Sequence, residues 1–238
     1  MRPPIGQVEG KKQAVEQMFD TIAPRYDLLN RVLSMGIDQG WRRRVVALLS
    51  EDKPRKILDV ATGTADLALA SMRLQPEHIT GVDIAEGMLE MGRKKIAALD
   101  LSDKITLQRG DSENLPFEDN RFDAVTVAFG VRNFENLYAG LSEMRRVLRP
   151  GGKLVVLEFS KPSHFPVKQL YSFYFRQVLP RVGSTVSGVS GPYQYLNESA
   201  MAFPDGKDFL AELTKAGYRT VTAEPQTFGI ATIYTAIK

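Results

Sequence analysis

The chain predicts an α/β fold: a mostly parallel seven-stranded sheet, covered by helices on both faces and finished by an antiparallel hairpin. Three observations carry this expectation. Strand-like and helix-like runs alternate from residue 56 onward. The stretch KILDVATGTADLALA (56–70) passes from an apolar strand through a small-residue turn into a helix. Two strand-like runs, 218–223 and 228–237, follow each other closely. Alternation of this kind gives parallel strands joined by right-handed crossovers, and two runs separated by a turn around Pro225 pair as a hairpin.

The elements follow in order within one domain, 1–238. Residues 1–50 read as a helical cap: Val15, Met18, Phe19 and Ile22 recur at helical spacing before a break at Pro24. Asp38 is placed to cap a helix carrying Trp41, Val45, Val46, Leu48 and Leu49. Residues 51–160 form the cofactor-binding core, with strands 56–61, 79–83, 104–108, 122–128 and 153–159 and helices near 65–75, 86–98 and 135–147. In RVLRPGGKLVVLEF the Pro-Gly-Gly reads as a turn before a buried strand, with no catalytic part. Residues 161–200 are too long for a plain connection and read as a substrate lid. Within them Val167, Leu170, Tyr171, Tyr174 and Val178 share one helical face, a stripe that reads first as core packing, while Phe173 and Phe175 on other faces offer a greasy substrate cover as the alternative. Residues 201–238 supply a helix near 205–216, capped by Asp205 and closed by Gly217, and then the hairpin.

Composition narrows the chemistry. At 238 residues and 43% hydrophobic content the core needs no staple, since a chain of this size buries roughly 70% of its unfolded surface. The absence of cysteine removes thiol catalysis and Cys-ligated zinc, and His78 and His164 lie far apart, so no metal site is expected. The opening MRPPIGQVEGKK carries no export segment and no apolar run approaches a membrane span, which predicts a cytoplasmic protein. A net charge of +3 does not imply nucleic acid. Arg42, Arg43 and Arg44, and then Arg145, Arg146 and Arg149, form the densest basic clusters; they suit solvated helix faces or an anionic membrane surface.

The carboxyl ends of the strands hold the candidate site, because open α/β sheets bind ligands there. Gly63 is the only glycine in the first loop, and Asp59 stands before it. An acid at that place is unhelpful to a pyrophosphate but attracts the cationic methionine end of a different adenosine-type ligand. Asp83 ends the second strand and can accept both hydroxyls of a ribose, or cap the helix from Glu86. Asp111 and Ser112 follow the third strand. There the Asp111 carboxylate suits an exocyclic adenine amine and the Ser112 N–H a ring nitrogen, unless the pair only makes a turn before Pro116. The fourth strand opens into GVRNF, where Arg132 and Asn133 offer a fixed cation and an amide, or a surface loop with Asn133 as a helix cap.

Together these residues resemble the C-methyltransferases of menaquinone and ubiquinone biosynthesis, within the class I (Rossmann-like) S-adenosylmethionine-dependent methyltransferases. The resemblance covers essentially the whole chain through YDLLNRVLSMGIDQGWRR, DVATGTADL, FGVRN, RVLRPGGKLVVLEFSKP and YQYLNES. Asp38 stands where many members have histidine, and Ala128 where a serine is common. The resemblance implies S-adenosyl-L-methionine contacts at Thr64, Asp83, Asp111 and Ser112, to which the residues themselves add Asp59 and Gly63, and it lets Tyr26 close over the cofactor. The implied reaction is C-methylation of a reduced polyprenyl quinone ring, with demethylmenaquinol preferred over a benzoquinol of ubiquinone biosynthesis. Another small-molecule methyltransferase of this fold is the alternative. Arg132 and Asn133 are the catalytic candidates, as stabilisers of a developing quinol oxyanion; an arginine stays protonated and is no general base. The prenyl tail keeps the substrate in the bilayer, so the protein is expected to visit the inner face of the plasma membrane. A nicotinamide-dependent oxidoreductase is disfavoured by the single glycine, Asp59 and the hairpin. Intact Thr64, Asp83 and Asp111 disfavour a non-catalytic quinone carrier. Oligomeric state stays open.

Overall fold

The computed structural model of the protein describes residues 10–173 and 191–238. Seven strands form one sheet: β1 (Lys56–Val60), β2 (His78–Asp83), β3 (Ile105–Arg109), β4 (Phe122–Ala128), β5 (Leu148–Phe159), β6 (Arg219–Gln226) and β7 (Ala231–Ile237). Their order is β3-β2-β1-β4-β5-β7-β6. Strands β1 to β5 pair in parallel, and β7 runs antiparallel to both β5 and β6. The central strands are apolar runs because both of their faces are covered. Alternate residues go to opposite sides: Ile57, Ile79, Ala124 and Val155 join one core, and Leu58, Val60, Val125 and Val156 the other.

Before the sheet come α1 (Lys11–Ile22), α2 (Tyr26–Ser34) and α3 (Ile37–Ser50). Trp41, Val45 and Leu49 of α3 pack on the first core, beside Leu67 and Ala68 of α4 (Asp66–Ser71) and Leu89 and Ile96 of α5 (Glu86–Ala98). The second core is closed by Leu141, Met144 and Val147 of α6 (Leu137–Val147). Two further helices, α7 (Val167–Phe173) and α8 (Gly191–Ala202), follow β5, and Phe209 and Leu213 of α9 (Lys207–Lys215) complete the second core.

Several local expectations change. Asp38 does not cap α3: Gly36 holds that place, and Asp38 lies buried in the first turn, paired with Arg42 and accepting from Ser34 Oγ at 2.6 Å. The helix expected over 65–75 stops as an α-helix at Ser71 and tightens into a 3₁₀ turn over 72–74. Pro150-Gly151-Gly152 lies inside β5 as a bulge, with Leu148 opposite Phe122 but Lys153 opposite Ala124; Gly151 takes φ 75°. Pro225 lies within β6, paired with Thr232, and the hairpin turns instead at 227–229, where Thr227 and Phe228 adopt positive φ. The apolar stripe expected over 167–178 divides: Tyr171 is buried while Leu170 is 65% exposed. Tyr174, Phe175 and Val178 lie outside the described residues.

Candidate active site

A crevice of about 690 Å³, part of it open to solvent, lies along the carboxyl ends of β1 to β4. Gly63, Asp83, Asp111, Ser112, Ala128 and Asn133 line its sheet side, and Lys12, Val15, Phe19 and Tyr26 cover it from α1 and α2. Four of the expected cofactor residues are thereby brought to one surface.

The loop between β1 and α4 is strained. Ala61, Gly63 and Ala65 all take positive φ, at 51°, 56° and 67°. Such a backbone is ordinary for glycine but costs an alanine roughly 1–2 kcal/mol. The surrounding bonds hold it there: Thr62 N donates to Val82 O at 3.0 Å, and Ala65 N to Thr62 O at 2.9 Å. The loop leading out of β4 crowds against it. A Cβ on Gly130 would sit 2.5 Å from the Ala61 Cβ, so a side chain there would force the two loops apart. Phe129, at φ 58°, adds a third strained non-glycine position at this edge.

Asp83 ties the loops together. Its Oδ2 accepts from Gly63 N at 2.8 Å and its Oδ1 from Ala85 N at 3.0 Å. Ala85, not Asp83, occupies the N-cap of α5. Each carboxylate oxygen keeps a second lone pair, so the group can still accept two ligand hydroxyls. Burial pushes its pKa up, against the pull of these backbone donors. Asp111 makes the expected turn, accepting from Glu113 N at 2.9 Å, but its other oxygen pairs with Lys12 Nζ at 2.6 Å.

Asp59 and Thr64 sit behind the lining. Asp59 is buried, with its oxygens accepting from Thr62 Oγ1 at 2.6 Å and Thr126 Oγ1 at 2.7 Å. Burial lifts its carboxyl to about 6. The Thr64 hydroxyl donates to Asp27 Oδ1 at 2.5 Å and accepts from Lys95 Nζ at 3.1 Å, and Lys95 also pairs with Asp27 and Asp66. This side chain therefore braces α2 against the loop, and its backbone is what remains for a ligand.

Arg132 and Asn133 lie on a 3₁₀ turn, 131–133, after β4. The guanidinium is buried: Nη1 donates to Glu158 Oε1 at 2.8 Å and to Phe129 O, and the group lies 5.5 Å from the Phe159 ring centre. Glu158 is completely buried and also accepts from Phe159 N at 2.8 Å; burial raises its pKa while Arg132 opposes the rise. Trp41 lies 6.0 Å from Phe129 and 6.5 Å from Phe159 and donates to Thr227 Oγ1 at 2.8 Å, so it supports the turn that carries Arg132. Asn133 caps nothing; the cap of α6 is Asn136, which accepts from Ala139 N at 3.0 Å. Among the described residues no group of histidine, cysteine and acidic side chains is arranged for a metal.

Sequence reasoning missed Glu158, Lys12 and Tyr195. Glu158 had a signal, since a lone acid in LVVLEF must be buried with its strand and needs a cation. Tyr195 stands in the YQYLNES motif, which marked the segment but not the residue, and Lys12 had no signal, since its place depends on a contact distant in the chain.

The arrangement suits an adenosine-bearing ligand, and the chain as a whole is similar to known proteins. A model of the ubiE/COQ5 methyltransferase family matches residues 7–238. A demethylmenaquinone methyltransferase of Bacteroides fragilis is 50% identical over 97% of this chain and 95% of its own. One from Deinococcus radiodurans is 48% identical over 100% and 98%. A ubiquinone/menaquinone biosynthesis C-methyltransferase of Geobacter sulfurreducens is 47% identical over 96% and 90%. Among solved structures, a SAM-dependent methyltransferase from Thermotoga maritima superposes with a TM-score of 0.66 over 94% of this chain and 99% of its own, at 19% identity, a likeness of fold alone.

Proposed function

The chain belongs to the ubiE/COQ5 methyltransferase family, and from that premise we propose that it methylates a ring carbon of a reduced polyprenyl quinone, demethylmenaquinol being the preferred acceptor. The observation that carries the cofactor side is Asp83, a partly buried carboxylate with unfilled lone pairs facing the crevice between two strained loops. When bound, S-adenosylmethionine supplies an already activated methyl group, which leaves the protein the tasks of binding, alignment and charge stabilisation.

Asp83 accepts the ribose hydroxyls. Asp111 and Ser112 hold the adenine edge once the Lys12 ion pair yields. Gly63 and the backbone at Thr64 receive the amino-acid end, and Asp59 places negative charge beneath it. Arg132 supplies positive potential near the ring oxygen as the carbon becomes nucleophilic; Glu158 and Phe129 fix the guanidinium in place without rearrangement during the reaction. Asn133 lines the crevice beside it and orients the ring.

The described parts of the expected lid, 161–173 and 191–200, give the tail its cover. Phe165, Leu170 and Phe173 are exposed there, and we assign them to transient contact with the bilayer that holds the substrate. The basic clusters contribute less than their sequence suggests, because Arg44, Arg146 and Arg149 are paired with Glu224, Glu143 and Asp123. Among the described residues no helix is long and apolar enough to cross a membrane. Co-sedimentation with anionic vesicles should weaken when Phe165, Leu170 and Phe173 are changed to serine; unchanged binding removes this contact.

Product analysis tests the reaction. The purified protein, supplied with S-adenosylmethionine and a reduced naphthoquinone or benzoquinone, should methylate the naphthoquinol carbon faster. Exclusive O-methylation, or no product from either ring, rejects the proposal.

A further inference from the structure

Among the described residues, the buried side-chain atoms left without a hydrogen-bond partner are Arg42 Nε, Arg132 Nε, Asn133 Oδ1 and Tyr195 Oη. Three of the four lie on two elements that pack against each other. Arg132 and Asn133 are neighbours on the 131–133 turn, and α8, which carries Tyr195, packs on that turn. Tyr195 is buried against Val15, Met18 and Phe19, of which Val15 and Phe19 also line the crevice. Arg132 and Glu158 both act electrostatically on its hydroxyl, whose pKa burial raises. Leaving three polar atoms buried and unpaired is costly, and such a cost is sustained where a ligand supplies the missing partners.

The missing partners can be deduced. Asn133 Nδ2 faces the Phe129 carbonyl at 3.5 Å, which sets the amide orientation and leaves Oδ1 as an acceptor seeking a proton. The Tyr195 hydroxyl can donate, and so can Arg132 Nε. A group that gives one proton and accepts another satisfies this set. A phenolic hydroxyl does both; a quinone carbonyl only accepts and leaves Asn133 Oδ1 unpaired. We propose that Tyr195 and Asn133 together hold one ring hydroxyl of the acceptor, and that this pair makes the site select the hydroquinol over the quinone. Tyr195 is thus a substrate-binding residue on the lid side, which closes the ring against the Arg132 turn. The assignment rests on the proposed function and adds the residues that read the oxidation state of the ring.

Binding in the unreactive complex tests it. With S-adenosylhomocysteine bound and oxygen excluded, the unaltered protein should bind a one-isoprene demethylmenaquinol at least tenfold tighter than the matching quinone. Tyr195→Phe should lose most of that preference by weakening hydroquinol binding about tenfold. Quinone affinity and S-adenosylhomocysteine affinity should stay unchanged, and the melting temperature should not fall, because the hydroxyl makes no hydrogen bond among the described residues. A second measurement needs no variant: of the two monomethyl ethers of the hydroquinol, one should bind the unaltered protein as weakly as the quinone. A Tyr195→Phe protein with the original preference, or two ethers bound as tightly as the hydroquinol, overturns the assignment. Turnover of reduced quinones by the unaltered protein separates the two levels. If none is methylated, the functional reading fails and this inference with it; if they are methylated while either overturning result holds, only the inference fails.

Discussion

The carboxyl edge of the sheet and the helices above it are held by different kinds of bond. At the edge, Asp59 is fixed by two hydroxyls, Asp83 by two backbone amides, and Arg132 by a buried carboxylate and a carbonyl. In the cover, α2 is braced through Asp27 and Thr64, but α1 rests largely on contacts with substantial solvent access: Lys12 with Asp111, Arg109 with Glu16, and Gly87 N with Asp20. Partly exposed ion pairs are worth roughly 0–1 kcal/mol each. The edge is therefore set before any ligand arrives, while α1 meets it mainly through partly exposed bonds, with the half-buried Lys11 Nζ donating to Phe134 O at 2.5 Å and to Arg132 O at 3.4 Å. A ligand that lies between the two needs both properties.

The largest break in this comparison comes from Asp83→Ala. It removes charge-assisted bonds worth roughly 1.5–3 kcal/mol each, and loss of two ligand hydroxyl contacts should weaken S-adenosylmethionine binding about 10²–10⁴-fold. Calorimetry with native circular dichroism checks it; an unchanged dissociation constant takes Asp83 out of the site. Next, Arg132→Ala leaves Glu158 as a buried carboxylate without its cation, which costs about 3–5 kcal/mol of stability. Pairing Arg132→Met with Glu158→Gln should restore much of the melting temperature but leave single-turnover rates about 10²–10³-fold low. Recovery of both together would reduce the pair to a structural anchor for the turn.

A smaller effect is expected from Asp59. Its carboxyl is lifted by burial to about 6, above the usual carboxylate value. The folded chain binds this proton more tightly than the unfolded one, so the stability it lends is full below about pH 4 and is lost as pH rises through about 6. Denaturation across pH 4–8 should show Asp59→Asn lacking this loss, a difference of at most about 3 kcal/mol at two units of displacement. Parallel curves for the two proteins would contradict the burial argument. The smallest effect belongs to the cover. Lys12→Ala should change stability by less than about 1 kcal/mol, yet speed cofactor association a few-fold, because Asp111 is released. Trp41, the single tryptophan, offers a stopped-flow signal, and the gain should shrink at high salt. A slower association would mean that Lys12 guides the ligand instead of blocking it.

The same contrast explains what could be read from the residues in sequence. The edge was legible because it is built from strand ends: an apolar run that stops at an acid or a small-residue turn announces its own place, as at Asp83, Asp111 and Gly63. The antiparallel finish was legible for the same reason, although its turn was misplaced because Pro225 tolerates an edge strand. The partners of the cover were not legible. Lys12 meets Asp111 across 99 residues and Trp41 meets Thr227 across 186, and no local pattern encodes such meetings. Two strained alanines were equally hidden, since the sequence suggests positive φ at Gly63 but not at Ala61 or Ala65.

The place of β7 has a consequence for how the protein is made. This strand follows β6 in the chain yet lies between β5 and β6 in the sheet. During synthesis β6 therefore emerges with no neighbour to join, and β5 waits with an open side. Assembly can run from β1 through β5 as they appear, because each meets a partner already made. The last two strands must add together, with Ile233, Tyr234 and Ala236 sealing both cores in one event. A ribosome-bound chain halted between β6 and β7 should stay open to protease at 219–226, and protection at that stage would show that β6 finds another partner first.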